Sequence, residues 1–154
     1  MWYYNFSVNI SNLCMQLFLC TLYQNKNIFG DFYILFQECS FNKLHDNTAL
    51  KVSYQGNVRV YSNAKCNRWY FKFNGNECNG PLSIESVVYN YWPGGLSSNH
   101  RNHFFEGYCE NLARGTVSVE LWVGKCSGYS TQGNAYTGWN SVSRIMIEEV
   151  PPSQ

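Results

Sequence analysis

The sequence predicts an all-β protein, an antiparallel β-sandwich or jelly roll, on three observations. Apolar and polar residues alternate with a period of two, most clearly from Thr116 to Val123, where Val117, Val119, Leu121 and Val123 would face inward. Turn dipeptides such as Asn74-Gly75 separate the alternating segments at short intervals. No stretch has the apolar spacing of an amphipathic helix over three turns. Many short strands with Gly, Asn and Ser turns are typical of sandwiches and jelly rolls.

The length of 154 residues predicts one domain. We expect this domain to span residues 37–152. The apolar run at 13–23 is about half as long as a membrane-crossing helix requires, so we expect no membrane span. No Lys or Arg precedes that run, as a signal peptide would require. We therefore leave residues 1–36 unassigned, as a gene-model artefact or the remnant of a signal.

The segments between 49 and 150 each carry a specific prediction. The stretch ALKVSYQGNVRVYS at 49–62 predicts a hairpin that turns at residues 55–57, because Gly and Asn favour turns. An aromatic strand at 69–73 should end at Asn74-Gly75, and a β-branched strand should follow at 84–89. A polar loop is expected from Trp92 to about His103. The last strand is expected at 142–150, with Ile145 and Ile147 inward.

The seven cysteines indicate disulfides, and therefore an oxidising compartment. The absence of a C-x-x-C pair argues against a zinc ribbon or a thioredoxin-type site. A set of buried free thiols in a cytosolic protein is the alternative. Spacing alone does not determine pairing, but each of two pairs would close a short loop: Cys66 with Cys78, and Cys109 with Cys126. The odd count leaves at least one thiol without a partner in the chain. The cysteines that this pairing leaves unassigned are Cys14, Cys20 and Cys39.

The charge and the motifs exclude several functions. Charged residues are 14% and the net charge is +1, so we expect no nucleic-acid partner. His100 and His103 form the only histidine cluster, but no third ligand lies nearby, so no metal or other cofactor is expected. The stretch Gly138 to Ser141 lacks the G-x-S-x-G elbow of a serine nucleophile, and no paired carboxylates form a recognisable motif. We therefore expect a protein that is not an enzyme.

Aromatic residues make up 18% of the chain, which is more than a core of this size usually needs. Some of them should therefore lie in contact surfaces. We predict the interface of an oligomer at Trp122, which should face outward, and at Trp69, Tyr70 and Phe71, whose rings should lie on both faces of their strand. The loops at 92–103 and 129–136, with the turn after them, are expected to bind a partner through Trp92, His100, Arg101, His103, Tyr129, Tyr136 and Trp139. Alternatively the domain binds carbohydrate, with Trp92, Tyr136 or Trp139 stacked on sugar faces.

Seven phrases, in one order, connect this chain to a known family. They are ECSFNKL, NTALKVSYQGNVRV, NRWYFKFNG, ECNGPLSIESVVY, Gly-Tyr-Cys-Glu at 107–110, VELWVGKCS and TGWNSVSRIMIEEVP. Together they cover the chain from about residue 37 to residue 152. In this span the sequence resembles the C-terminal globular domain of the collagen triple helix repeat-containing protein family.

The resemblance implies a secreted glycoprotein of the extracellular matrix, with a collagenous segment ahead of the domain. It implies links to cell migration, collagen deposition and Wnt signalling, and so to matrix or Wnt-receptor proteins as partners. It also implies a jelly roll like the globular heads of complement and tumour-necrosis-factor-like proteins, assembled as a homotrimer. The chain departs from the family at three places: Lys65 stands where a second cysteine is expected, the loop at 91–103 lacks the glycosylation sequon, and residues 1–36 contain no collagenous segment and do not resemble the family.

Overall fold

The computed structural model describes residues 3–10, 13–22, 26–28, 34–94 and 99–151, and the side chains of 19–20, 37–94 and 99–151 among them. In these ranges the chain forms twelve β-strands and no helix, which confirms the all-β prediction. None of these described segments forms a helix that is long and apolar enough to cross a membrane. The strands are β1 (Tyr3–Ile10), β2 (Leu13–Leu22), β3 (Lys26–Ile28), β4 (Ile34–Lys43), β5 (Ala49–Val60), β6 (Lys65–Phe73), β7 (Asn76–Glu77), β8 (Glu85–Asn90), β9 (Arg101–Cys109), β10 (Gly115–Lys125), β11 (Ala135–Thr137) and β12 (Ser143–Val150).

The strands form two antiparallel sheets that pack face to face. The first sheet has β1, β2, β12 and β5 side by side, with β9 on the far edge of β5 and β11 continuing the line of β12. The second sheet has β4, β10 and β6, with β8 and β7 along the far edge of β6. Together with β3, which pairs with β11, the first sheet has seven strands in the described ranges and the second has five, and two antiparallel sheets packed in this way make the jelly-roll type of sandwich.

The core lies between the sheets and consists of the inward residues of both. On β10 the inward residues are the predicted ones, and Val117, Val119, Leu121 and Val123 are each at most 1% exposed. The predicted inward pair Ile145 and Ile147 on β12 is also buried.

The predicted hairpin at 49–62 is wrong, because β5 continues through residues 55–57 without a turn. Gly56 serves a different purpose there. A Cβ atom at this position would lie within 3.0 Å of the hydroxyl oxygens of Tyr54 and Ser143, which approach each other over the glycine. The glycine is therefore required by a close side-chain approach and not by a turn.

The turn at Asn74-Gly75 is confirmed, since both residues have positive φ angles of 50° and 82°. The predicted polar loop after Trp92 is too long at its C-terminal end, because β9 already begins at Arg101. This strand pairs along its length with β5, from Arg101 opposite Val58 to Cys109 opposite Leu50.

The backbone of β2, which the sequence argument left outside the fold, pairs with β12 from Leu22 opposite Ser143 to Leu17 opposite Glu148. Cys20 of the same strand forms a disulfide with Cys39 of β4. This bond connects the two sheets, because β2 and β4 belong to different sheets.

The four cysteines expected in disulfides are all bonded, but the predicted pairing, Cys66 with Cys78 and Cys109 with Cys126, is wrong. Cys66 pairs with Cys126 and Cys78 pairs with Cys109. Cys39 is not left over, since it pairs with Cys20. The pairing of β10 with β6 brings Cys126 opposite Cys66, and the packing of the two sheets brings Cys78, which follows β7, to Cys109 of β9. These partners are 60 and 31 residues apart in sequence, which no loop-length argument could foresee. Cys14 lies among the residues whose side chains are not described.

Candidate functional site

A cleft opens between the sheets where their edge strands β8 and β9 diverge. We call it the inter-sheet cleft; its volume is about 370 Å³. The apolar side chains of Val58, Val60 and Val88 line it. Three aromatic rings, each 51–60% exposed, also line it: Tyr89, Tyr91 and Trp92.

Two basic residues at the start of β9 complete the lining of this cleft. Arg101 and His103 both contribute to it, at positions where the inward side of β9 meets Val58 and Gly56 of β5. Burial, and secondarily the charge of Arg101, lower the pKa of His103. His103 is therefore predominantly neutral at physiological pH, and Arg101 supplies the positive charge at this end of the cleft.

Tyr129 also lies beside this cleft. Its ring is 6.0 Å from that of Tyr89, which in turn stacks on Tyr91 at 6.4 Å. The predicted partner-binding residues Trp92, Arg101, His103 and Tyr129 are thus brought to one place on the molecule.

The other predicted binding residues, His100, Tyr136 and Trp139, form a separate group on the outer face of the first sheet. They lie there with Asn57, Arg59 and Tyr61, and we call these six residues the aromatic–arginine cluster. The guanidinium of Arg59 lies 4.5 Å from the ring centre of Tyr61 and 4.6 Å from that of Tyr136. The imidazole of His100 stacks on the indole of Trp139, with ring centres 4.5 Å apart.

Strand pairing explains why these residues meet. Tyr136 is directly opposite Arg59 where β11 pairs with β5. The chain then turns at Gly138 and Asn140, which have positive φ angles of 74° and 46°, and the Gly138 amide donates to the carbonyl of Asn57. The turn holds Trp139 against His100.

Hydrogen bonds determine the protonation state of His100. An arginine can only donate, so the bond of 3.0 Å between Arg59 Nη1 and His100 Nε2 makes Nε2 the acceptor. The proton is then on Nδ1, which donates to Asn57 Oδ1 at 2.8 Å. His100 is neutral in this arrangement, and burial together with the charge of Arg59 lowers its pKa.

The interface predicted on the second sheet needs correction. Trp69 and Phe71 both point into the core and are at most 1% exposed, because alternate residues of β6 face inward. Tyr70 points outward, yet it is only 2% exposed, with the Arg68 guanidinium 4.0 Å from its ring centre. Trp122 lies on the outer face as expected, but it is half-buried under the ammonium group of Lys72 at 4.3 Å. A charged side chain therefore covers each of these two outward rings.

Large exposed apolar residues lie instead along β8 and β9. Phe104 is 56% exposed and Tyr108 is 44% exposed on the outer face of β9, and Val87 is 52% exposed on β8. Phe104 and Tyr108 were missed because the start of β9 was taken for a loop. Val87 lies on the strand predicted at 84–89, but no contact role was predicted for it.

Arg59 and Asn57 were also missed, and a signal for them existed. In a continuous strand, residues 57, 59 and 61 share one face, which the interpretation of 55–57 as a turn obscured. Among the residues with described side chains, no group of three or more potential metal ligands comes together.

The fold, the three disulfides and the two aromatic surfaces define a disulfide-bonded antiparallel β-sandwich of the jelly-roll type. The chain belongs to the family described as "CTHRC1, C-terminal domain", which it matches over residues 20–147. This match confirms the resemblance to the collagen triple helix repeat-containing family. The family and the three disulfides are consistent with a secreted extracellular protein.

Among solved structures, the chain is similar to a protein in the structure of infectious bursal disease virus Gt strain. The TM-score is 0.45 and the sequence identity is 9%. The similar region covers 95% of this chain and 42% of the viral chain.

Proposed function

We propose that this domain is a non-enzymatic secreted module of the extracellular matrix that forms a homotrimer and binds extracellular proteins through the inter-sheet cleft. Family membership supports the extracellular location. The observation that carries the binding proposal is the cleft itself, where three exposed rings surround an apolar base. Exposed aromatic residues beside a concave apolar surface are typical of protein contact sites.

The chemistry of the cleft indicates the kind of partner segment that it would accept. Valine side chains favour an apolar anchor, and the charge of Arg101 favours an acidic group next to it. We therefore propose a partner segment with an aliphatic or aromatic side chain adjacent to an acidic residue. The family's connection to Wnt signalling and collagen makes Wnt-receptor ectodomains and fibrillar collagen the first proteins to test.

Surface binding measurements with the disulfide-bonded full chain test this proposal. An immobilised Wnt-receptor ectodomain and immobilised triple-helical collagen are the two probes. Trp92→Ala and Tyr91→Ala should each weaken binding about tenfold or more, because buried aromatic anchors dominate such interfaces. Leu82→Ala is the matched control, since Leu82 is 76% exposed and lies outside the cleft. Equal binding by all variants, or no binding to either probe, would contradict the proposal.

Trimer formation is proposed to use the outer face of β9. Phe104 and Tyr108 supply exposed apolar area there, and burial between copies would remove it from water. Light scattering after size exclusion should give the mass of three chains for the wild type. Phe104→Ser should lower that mass, whereas Trp122→Ser should not. A monomeric wild-type chain would remove the trimer from the proposal and leave the cleft proposal intact.

A further inference from the structure

The aromatic–arginine cluster has a positive charge that no carboxylate neutralises among the residues with described side chains. The ion pairs described there involve Arg68, Arg114, Lys51 and His45 but not Arg59. A half-buried arginine without an anionic partner is unusual, because removing a charge from water costs free energy that a counterion normally offsets.

The nitrogens of Arg59 differ in what they can still bind. Nη1 donates to His100, and neither Nε nor Nη2 has a hydrogen-bond partner among the described residues. Of these two, only Nε is fully buried, so a ligand could reach Nη2. The two tyrosine rings hold the guanidinium plane in place, which removes much of the entropy cost of ordering an arginine on binding.

An exposed aromatic ring lies on the other side of His100. Trp139 is 45% exposed, and the imidazole of His100 stacks on it. The imidazole is fixed by hydrogen bonds on both nitrogens. The cluster thus holds a hydrogen-bond donor for an anion, Arg59, and a flat apolar surface, Trp139, at a fixed separation with the imidazole of His100 between them.

We propose that this cluster binds an acidic monosaccharide unit of a glycan, a uronic or sialic acid residue. The sugar carboxylate accepts hydrogen bonds from Arg59 Nη2, and the C–H face of the sugar ring packs on Trp139. A pyranose acid carries both features on one rigid ring, whereas an Asp or Glu side chain would cover only the guanidinium. This inference is independent of the protein partner proposed for the inter-sheet cleft.

Titration calorimetry of the full disulfide-bonded chain tests the proposal with four probes. A hyaluronan tetrasaccharide supplies uronic acid and 3′-sialyllactose supplies sialic acid, so the two arms distinguish the sources of the carboxylate. A neutral chitin tetrasaccharide lacks the carboxylate, and hexaglutamate supplies carboxylates without a sugar ring. We expect saturable binding of at least one acidic sugar and markedly weaker binding of the other two probes.

Variants assign the binding to the cluster. Trp139→Ala and Arg59→Gln should each weaken binding of the acidic sugar about tenfold or more, as expected for loss of a charge-assisted hydrogen bond or of a stacked ring. The matched controls are Trp92→Ala and Arg101→Gln, which remove an exposed tryptophan and an exposed arginine from the cleft. They should leave the affinity unchanged. If Arg59→Gln does not fold, Trp139→Ala decides, because its ring is partly exposed.

Four results would overturn the proposal. They are the absence of saturable binding by either acidic sugar, equal binding of the neutral tetrasaccharide, equally tight binding of hexaglutamate, and an equal loss of affinity in the cleft controls.

Discussion

The indole nitrogen of Trp69 donates a hydrogen bond of 2.9 Å to the hydroxyl oxygen of Thr137 inside the sandwich. Trp69 belongs to β6 of one sheet and Thr137 to β11 of the other, so the bond crosses the core. Both residues are 1% exposed. The bond therefore satisfies a donor that water cannot reach. It also connects β11, the strand that carries Tyr136 of the aromatic–arginine cluster, to the opposite sheet.

Replacing this acceptor should destabilise the protein. Thr137→Val keeps the shape of the side chain but leaves the Trp69 N–H buried without a partner. We expect the free energy of unfolding to fall by about 1–3 kcal/mol. Urea unfolding followed by tryptophan fluorescence measures this loss. The control is Thr116→Val on the exposed side of β10, which should change stability by much less. Equal effects of the two variants would contradict the role of the bond.

Gly56→Ala should also destabilise the fold. Its Cβ would collide with the hydroxyl groups of Tyr54 and Ser143, whose oxygens are 3.1 Å apart. Burial raises the pKa of Tyr54 to about 12, so its hydroxyl is neutral and remains in this pair. Overpacking of this kind costs about 1–3 kcal/mol. A double-mutant cycle measures the coupling: in a Tyr54→Phe background, Gly56→Ala should cost less, and additive losses would refute the collision.

The disulfide between Cys66 and Cys126 should make the largest contribution of the three, because it closes the longest loop. The separation is 60 residues, against 31 and 19 for the other two. On the chain-entropy account a loop of this length stabilises the fold by about 4 kcal/mol. The double variant Cys66→Ala/Cys126→Ala should lose that amount in urea unfolding. Mass spectrometry of a non-reduced digest should show the pairs 66–126, 78–109 and 20–39; a 66–78 peptide would contradict the structure.

Stability should decrease in acid through Glu149. Burial by itself would raise the pKa of this carboxyl, but hydrogen bonds from Thr48 and from the amides of Leu44 and His45 outweigh burial and lower the pKa. Because the pKa is lower in the folded state, the stabilisation is complete above the unfolded-state pKa of about 4.3 and is lost as pH falls through the folded value.

The variant Glu149→Gln isolates this effect. It should be less stable than the wild type at neutral pH, and its free energy of unfolding should change less in the acid range. Urea unfolding at a series of pH values gives both quantities. Glu148→Gln, one residue earlier on the outer face of β12, is the control and should keep the wild-type acid dependence. Parallel pH profiles for wild type and Glu149→Gln would refute the assignment.

The tautomer of His100 can be checked by nuclear magnetic resonance. We expect a neutral ring with the proton on Nδ1 and a pKa below the ordinary histidine value, because of burial and the charge of Arg59. Arg59→Gln removes that charge and should raise the pKa of His100. The pKa of His103, lowered by burial and by Arg101, should not change in this variant. A proton found on Nε2 would contradict the hydrogen-bond arrangement.

Local patterns were sufficient to predict much of the fold. The alternation on β10 and the Asn74-Gly75 turn depend on neighbouring residues only, and both were predicted correctly. The interpretation of Gln55-Gly56-Asn57 failed because the reason for its glycine is Ser143, which is 87 positions distant from it in the chain. A residue's role in a close approach depends on its spatial neighbours, and sequence does not reveal them.

The same distinction applies to the candidate sites. The sequence by itself determined the fold class, the family and the residue types that would bind a partner, since these follow from periodicity, composition and extended motifs. Only the tertiary structure decided that Trp92 and Arg101 belong to one surface, whereas His100 and Trp139 belong to another. It also decided that Arg59 belongs to this second surface, through its hydrogen bond to His100. It also decided the disulfide pairing. The physical reason is that two effects place residues side by side across long sequence separations. One is antiparallel pairing, through a register that the whole sheet determines, and the other is the packing of one sheet on the other.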